Sequence, residues 1–319
     1  MDELSLLLKS EYGISATSIL PATGGFSTKA AYRVTGADGI EYFLKAYDKS
    51  LPTTRFWVDR IDTYMPVLNR LSDLPALRGR VLMPIPSLRD NSYKVEVGDD
   101  VYVLFIFIRG KMPGIDAMTY DQTKELAEIL ASLHDTGDAN LLETPGLEED
   151  ISLPFCEQLA QYLSRKQHDA LYDLVHPHAE MLLAAIQETL RLRDTVRVGY
   201  SPLVLCHGDA HGNNVIQGER LVLADWETLH CAPPEADLFI HTWHPHGEVL
   251  LEAYSAARQG YRINHELLHF YTLRRRIEDV WVDIQRLTEE TPDSAEREEL
   301  LGWLSIGIEE IQKVYSAGG

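Results

Sequence analysis

The residues best suited to chemistry are an acid, an amide and a second acid, Asp209, Asn214 and Asp225, inside the stretch from Val204 to Glu227. Leu203 to Cys206 is a short apolar run, and His207 to Asn213 is polar and contains glycine. Val215-Ile216 and Leu221 to Ala224 flank Gln217-Gly218 as the arms of a hairpin. Asn214 enters that hairpin and Asp225 leaves it, so their oxygen-bearing side chains are expected at one end, where a single hard cation could bind both. Asp209 stands five positions before Asn214. This spacing suits phosphoryl transfer. A loose transition state asks one carboxylate to orient and deprotonate an attacking hydroxyl, while the amide and the other carboxylate hold magnesium against nucleotide phosphates. Asp209 takes the first role; Asn214 and Asp225 take the second.

These side chains need elements to hold them. Residues 2 to 12 read as a short amphipathic helix, and Thr23 to Val34 as a glycine-containing turn between two strands, followed by a strand from Tyr42 to Ala46 that carries Lys45. Backbone N–H groups of a glycine turn can approach phosphate oxygens closely, and Ser27 or Thr28 could add hydroxyl donors. Arg55 to Leu71 has helical spacing. Leu82 to Pro86 and the runs Ser92 to Val97 and Val101 to Ile108 complete a small sheet, the two runs joined by a turn at Gly98-Asp99-Asp100. The apolar period then changes from two to about three and a half. Helices are expected at 120–134, 155–173, 178–195, 248–259, 264–289 and 295–315.

Composition sets bounds on function. With 319 residues, 45% hydrophobic and 24% charged, the chain suits one large domain or two lobes rather than disorder. Its longest apolar run, Val101 to Ile108, is too short for a bilayer, and the acidic start lacks a signal-peptide pattern, so no membrane association and a cytoplasmic location are expected. Cys156, Cys206 and Cys231 are odd in number and widely spaced, which suggests reduced, packed thiols. The formal charge of −20 is uneven: residues 1–107 carry 12 basic and 13 acidic side chains, residues 108–319 carry 17 and 36. Such a field repels nucleic acid and favours a cationic acceptor, although acidic surfaces also serve solubility.

The pattern His207-Gly208-Asp209-x-His211-x-x-Asn214, followed by Ala224-Asp225-Trp226-Glu227, resembles the aminoglycoside phosphotransferase family of small-molecule kinases. The arginine and acid pattern from Arg274 to Asp279 is similar to the C-terminal helix of spectinomycin phosphotransferases. The resemblance implies an α+β, bilobal, protein-kinase-like fold. A small antiparallel-sheet lobe with one helix would span 1–107, and a larger, mainly helical lobe 108–319. It implies ATP or GTP as donor, with Mg2+. Lys45 would hold the α and β phosphates, and Gly24, Gly25, Phe26, Ser27 and Thr28 would form the phosphate turn. Asp62, or else Asp59, would pair with Lys45 from the 55–71 helix, where the family usually has glutamate. The backbone of Phe105, Ile106 and Ile108 would meet the adenine edge.

The same resemblance gives Asp237, in Pro234-Glu235-Ala236-Asp237-Leu238, a structural role tying the metal loop to helices. It makes Glu227, Glu278, Asp279 and Trp281 the candidates for gripping an amino sugar. His207 and His211 would order the loop; the spacing is that of a helical zinc pair, but Gly208 and Gly212 argue against a helix there. His241 to His246 reads as a loop rim over a pocket. Gly208 stands where protein kinases usually carry the arginine that answers a phosphorylated loop, which implies constitutive competence. The expected function is transfer of the γ-phosphoryl group to a hydroxyl of a small cationic acceptor, an aminoglycoside or aminocyclitol antibiotic, by a monomer or homodimer. The alternatives are a kinase for choline, homoserine or a methylthio sugar, a macrolide phosphotransferase, or a pseudokinase that only binds nucleotide.

Overall fold

The computed structural model describes residues 3–25, 28–136, 142–165, 169–197, 203–290 and 292–317. Two compact units emerge. The first comprises residues 1–148 and 203–262, the second 149–202 and 263–319. The division expected at 107/108 lies inside the first unit, because strands, turns and helices on either side of it are hydrogen-bonded together there.

The first unit opens with helix α1 (Glu3–Tyr12) and strands β1 (Ala16–Ala22), β2 (Ala30–Gly36) and β3 (Glu41–Asp48). Helix α2 (Pro52–Asp73) follows, then β4 (Pro84–Ile85), β5 (Val95–Val97) and β6 (Asp100–Ile106). These strands form one antiparallel sheet in the order β1-β2-β3-β6-β4, with β5 also on β6. Leu8, Tyr12, Val34, Tyr42, Leu44 and Leu104 fill the core between α1 and the sheet. Lys45 lies opposite Ala31 on β2 and Val103 on β6, so it belongs to an interior strand. Two residues along, Tyr47 shares its face, because side chains alternate along a strand. Helix α2 buries Val58, Ile61, Tyr64, Met65, Leu68 and Leu71, a stripe of i, i+3 and i+4 spacing.

Helix α3 (Tyr120–His134) begins with a reciprocal cap in which Gln122 N donates to the Thr119 hydroxyl and Thr119 N donates to Gln122 Oε1. It packs with the helix Gly247–Ala257. Beside them stand two short antiparallel pairs: β7 (Val204–Cys206) with β10 (His230–Ala232), and β8 (Val215–Gln217) with β9 (Leu221–Leu223). One pair brackets the other in sequence, so the two connecting loops, 207–214 and 224–229, are anchored by strands at both ends.

The second unit is helical, with helices Pro154–Ser164, Ala170–Val175, Ala179–Arg197, His265–Glu289 and Ser294–Ala317. Asn264 caps the fourth by accepting from Glu266 N and Leu267 N. Leu300, Leu304, Ile308 and Ile311 bury one stripe of the last helix, and Arg286 pairs with Glu296 near the turn between the last two. No helix among the described residues is long and apolar enough to cross a membrane.

Candidate active site

The loop after β7 is held from below by one buried acid. Asp237 Oδ2 accepts from His207 N at 2.8 Å and its Oδ1 accepts from Gly208 N at 2.5 Å. His134 Nε2 reaches the same Oδ2 at 2.9 Å, and Tyr254 OH reaches His134 Nδ1 at 2.7 Å. Burial alone would raise the Asp237 carboxyl; the His134 hydrogen bond and charge, then His207 and the Gly208 N–H, hold it below the usual carboxylate range. Asp237 therefore ties the 207–214 loop, which ends at Asn214, to α3 at its 207–208 end. Gly208 has φ +84°, and a Cβ there would sit 2.7 Å from Thr228 O. No residue with a side chain fits.

His207 is buried with its Nε2 on Ala224 O at 2.8 Å, while Asp209 N donates to its Nδ1 at 3.2 Å. Since a carbonyl only accepts, Nε2 carries the hydrogen. The ring packs at a tilt against Trp226, 4.5 Å between centroids. His207 thus links the 207–214 loop to the 224–229 loop. His211 lies 3.4 Å from Asp209 Oδ2 and accepts from Asn213 N. Neither histidine belongs to the one group of metal-capable side chains among the described residues, His134, Cys206 and Asp237, whose ligand atoms lie within 4.8 Å of one another; His134 and Asp237 are engaged in the hydrogen bonds above, and Cys206 Sγ donates to Ala232 O.

Asn214 Nδ2 donates to Asp209 O and to Asp209 Oδ2, both at 2.8 Å. Val215 pairs with Leu223, and Ala224 N donates to Asn214 O at 2.9 Å, which puts Asn214 directly beside the start of the second loop. Asp225 follows with φ 58° and ψ 60°, a left-handed conformation that aspartate tolerates at a cost of about 1 kcal/mol. Its Oδ1 lies 2.5 Å from Lys45 Nζ. Its Oδ2 would lie 3.2 Å from a Cβ on Gly25, so the turn carrying Gly24, Gly25 and Thr28 approaches the same carboxylate. Thr28 N closes that turn on Gly25 O; Phe26 and Ser27 lie outside the described residues.

Lys45 is buried and takes a second carboxylate, Glu227 Oε1, at 3.0 Å, and Tyr47 OH donates to that oxygen at 2.6 Å. Burial alone would lower the ammonium's pKa, but Glu227 first and Asp225 next hold it well above its ordinary value. The Glu227 carboxyl, which burial would raise, is kept low by the Lys45 charge and the Tyr47 hydroxyl. Lys45, Tyr64, Met65, Leu68, Phe105, Asp225, Trp226 and Glu227 line one small cavity.

Several expected partners sit elsewhere. Asp62 accepts from Ser92 Oγ and Tyr93 N and lies 3.7 Å from Lys94; Asp59 is exposed beside Arg55. Both fall off the apolar stripe of α2 that faces the sheet, so neither reaches Lys45. Glu227 was expected to grip an amino sugar and instead spends its carboxylate on Lys45 and Tyr47. At the hinge, Ile106 N donates to Met83 O and Phe107 N to Glu41 O, and the Phe105 side chain walls the Lys45 cavity, so the Ile106 amide is not available to an adenine edge. Ile108 follows directly in the irregular segment after β6.

Glu278, Asp279 and Trp281 belong to the second unit. Asp279 pairs with Arg275, Trp281 meets Tyr162 edge-on at 6.5 Å, and burial raises the Glu278 carboxyl against Arg274 and Arg275. His241 is buried rather than on a rim, its imidazole pushed down to about 3 by burial and then by His244, whose Nδ1 meets Asp116 at 2.7 Å. Tyr47 touches Glu227, and His134 and Tyr254 extend the Asp237 network; the sequence pattern singles out none of the three. Tyr47 could have been found by its two-residue offset from Lys45; nothing in the sequence marks the other two.

The family model described as a phosphotransferase enzyme family matches residues 18–271. Among solved structures, that of spectinomycin phosphotransferase, APH(9)-Ia, in complex with ADP and spectinomycin is similar at 19% identity and TM-score 0.75, covering 98% of this chain and 97% of that one. An aminoglycoside phosphotransferase from Alicyclobacillus acidocaldarius is similar at 15% identity and TM-score 0.61, covering 99% and 95%. Macrolide 2'-phosphotransferase MphH from Brachybacterium faecium gives 16%, 0.59, 94% and 96%. No curated protein matches.

Proposed function

We propose, from the premise that the chain belongs to the phosphotransferase enzyme family, that it moves the γ-phosphoryl group of a nucleoside triphosphate to a hydroxyl of an aminoglycoside or aminocyclitol. The observation that carries this reading is one unbroken chain of contacts: Asp209 to Asn214, Asn214 through Ala224 N to the Asp225 turn, and Asp225 to Lys45. On this reading a proton acceptor, two oxygen donors and a phosphate-holding cation are linked contact by contact.

Asp209 is held in place by Asn214 Nδ2 and His211, oriented to take the proton of an acceptor hydroxyl as that oxygen bonds to the γ-phosphorus and the bond to the β-bridging oxygen breaks. Lys45 draws on the phosphate oxygens. Asn214 spends its amide nitrogen on Asp209, which leaves its oxygen as donor, and Asp225 gives Lys45 one oxygen and keeps the other. Two hard oxygens of this kind fit magnesium, which when bound would neutralise charge on the phosphates. ATP is the donor we favour; the relatives' structures hold ADP, AMP or GDP. The surplus of acids over bases in residues 108–319 supports a cationic acceptor, and relatives were solved with spectinomycin and kanamycin. Phosphorylating such an antibiotic would spoil its fit to its target and so confer resistance on a cell holding the enzyme in its cytoplasm.

The test is nucleotide turnover against a panel of spectinomycin, aminoglycosides, macrolides, choline and homoserine. Amino sugars are expected to be phosphorylated, and Asp209→Asn to lose on the order of 10³-fold in kcat with its fold retained. Equal rates would remove Asp209 from the chemistry. Turnover of a metabolite alone would end the antibiotic reading while leaving the site intact.

A further inference from the structure

The resting partner of Lys45 comes from an unusual place. Helix α2 crosses the same cavity but presents Tyr64, Met65 and Leu68 to it, and the Tyr64 hydroxyl is buried without a hydrogen-bond partner among the described residues. No carboxylate of α2 faces Lys45. Two acids from the turn after β9 do, and they are not equivalent. Asp225 is wanted twice, by Lys45 and by the cation that the proposed reaction uses. Glu227 is wanted once: it is half-buried, fixed by Tyr47 OH at 2.6 Å, and sits on a turn that Arg60 of α2 clamps through a 2.7 Å hydrogen bond to Leu229 O.

We infer that Glu227 is the positioning residue for Lys45, doing from the metal turn what a helix acid would otherwise do, so that Lys45 stays aimed at the phosphates when Asp225 is drawn away. This rests on the proposed kinase reading and deepens it. It makes α2 a wall rather than a switch, coupled to the site only through the Arg60 clamp and apolar packing. It also removes Glu227 from the acceptor contacts.

The experiment is equilibrium titration of a fluorescent ADP analogue, with and without magnesium, beside steady-state acceptor kinetics. Glu227→Gln is expected to weaken ADP binding about tenfold in both conditions, with the acceptor KM unchanged. Tyr47→Phe, which leaves the acid but loosens it, is expected to weaken binding about threefold, and Asp62→Asn to change nothing. A rise in acceptor KM with unchanged ADP affinity would overturn the inference. So would a loss seen only with magnesium, which would make Glu227 a metal ligand, or an equal loss in Asp62→Asn. A lower Tm with unchanged ADP affinity would reduce both residues to packing and would also overturn it. Should Glu227→Gln fail to fold, the Tyr47→Phe result decides. Failure of the wild-type protein to bind ADP at all would count against the kinase reading itself, a separate outcome.

Discussion

Two buried aspartates, one in each compact unit, show how little burial alone says about a charge. Asp237 in the first unit is 1% exposed and Asp283 in the second is 8% exposed. Asp237 accepts two backbone N–H groups and faces His134, and its carboxyl is held low despite its burial. Asp283 has no hydrogen bond or ion pair among the described residues; burial, then repulsion from Asp279, push its carboxyl up to about 7 against the pull of Arg286. Donors make the difference. A buried acid with a full set of them becomes a bracket for the loop that bears Asp209, whereas one without them is an electrostatic liability near neutrality.

The contrast can be broken in order of expected effect. Asp237→Ala strands the N–H groups of His207 and Gly208 and should cost about 3–5 kcal/mol in urea-unfolding free energy, with activity lost alongside; a change below about 1 kcal/mol would show the bracket to be redundant. Asp283→Asn should do the reverse. A carboxyl raised in the folded state favours the protonated form there, so its contribution is complete below the unfolded pKa near 3.8 and is lost as pH rises toward 7. The variant should therefore gain on wild type across that window and hold a lead on the order of 4 kcal/mol at about pH 8. Unchanged stability there would mean that water or a cation already serves Asp283. For Asp237 the sign is opposite: its contribution is present above the unfolded pKa and disappears as pH falls. The smallest effect belongs to Tyr254→Phe, which removes the hydroxyl that reaches His134 and should cost about 1 kcal/mol while leaving ADP affinity intact.

The strand, loop and hairpin around Asp209, Asn214 and Asp225 were legible because every constraint on them is local: apolar runs of strand length, a turn and fixed spacings. The antiparallel sheet and the long helices were legible for the same reason. Lys45 could be nominated from its strand, but its partner could not, since Glu227 lies 182 positions away and only the closed fold brings them together. Asp62 is a different case: it stands four positions after Val58 and three before Met65, so spacing alone leaves it at the margin of the inner stripe of α2. Only the fold turns it away from the sheet lysine, toward Ser92, Tyr93 and Lys94. Asp283 shows the converse, an acid on the stripe of Val280, Ile284 and Leu287 whose helical spacing by itself signals a buried carboxyl.

Gly208 carries one last implication. Its backbone bends where only glycine can, and the space a side chain would fill belongs to Thr228. A guanidinium able to sense a phosphorylated segment has nowhere to stand at that position, so each copy of the protein should work at full rate as soon as it folds, and phosphatase treatment should leave the rate per molecule as it was. Output would then be set upstream, by how many copies a cell makes.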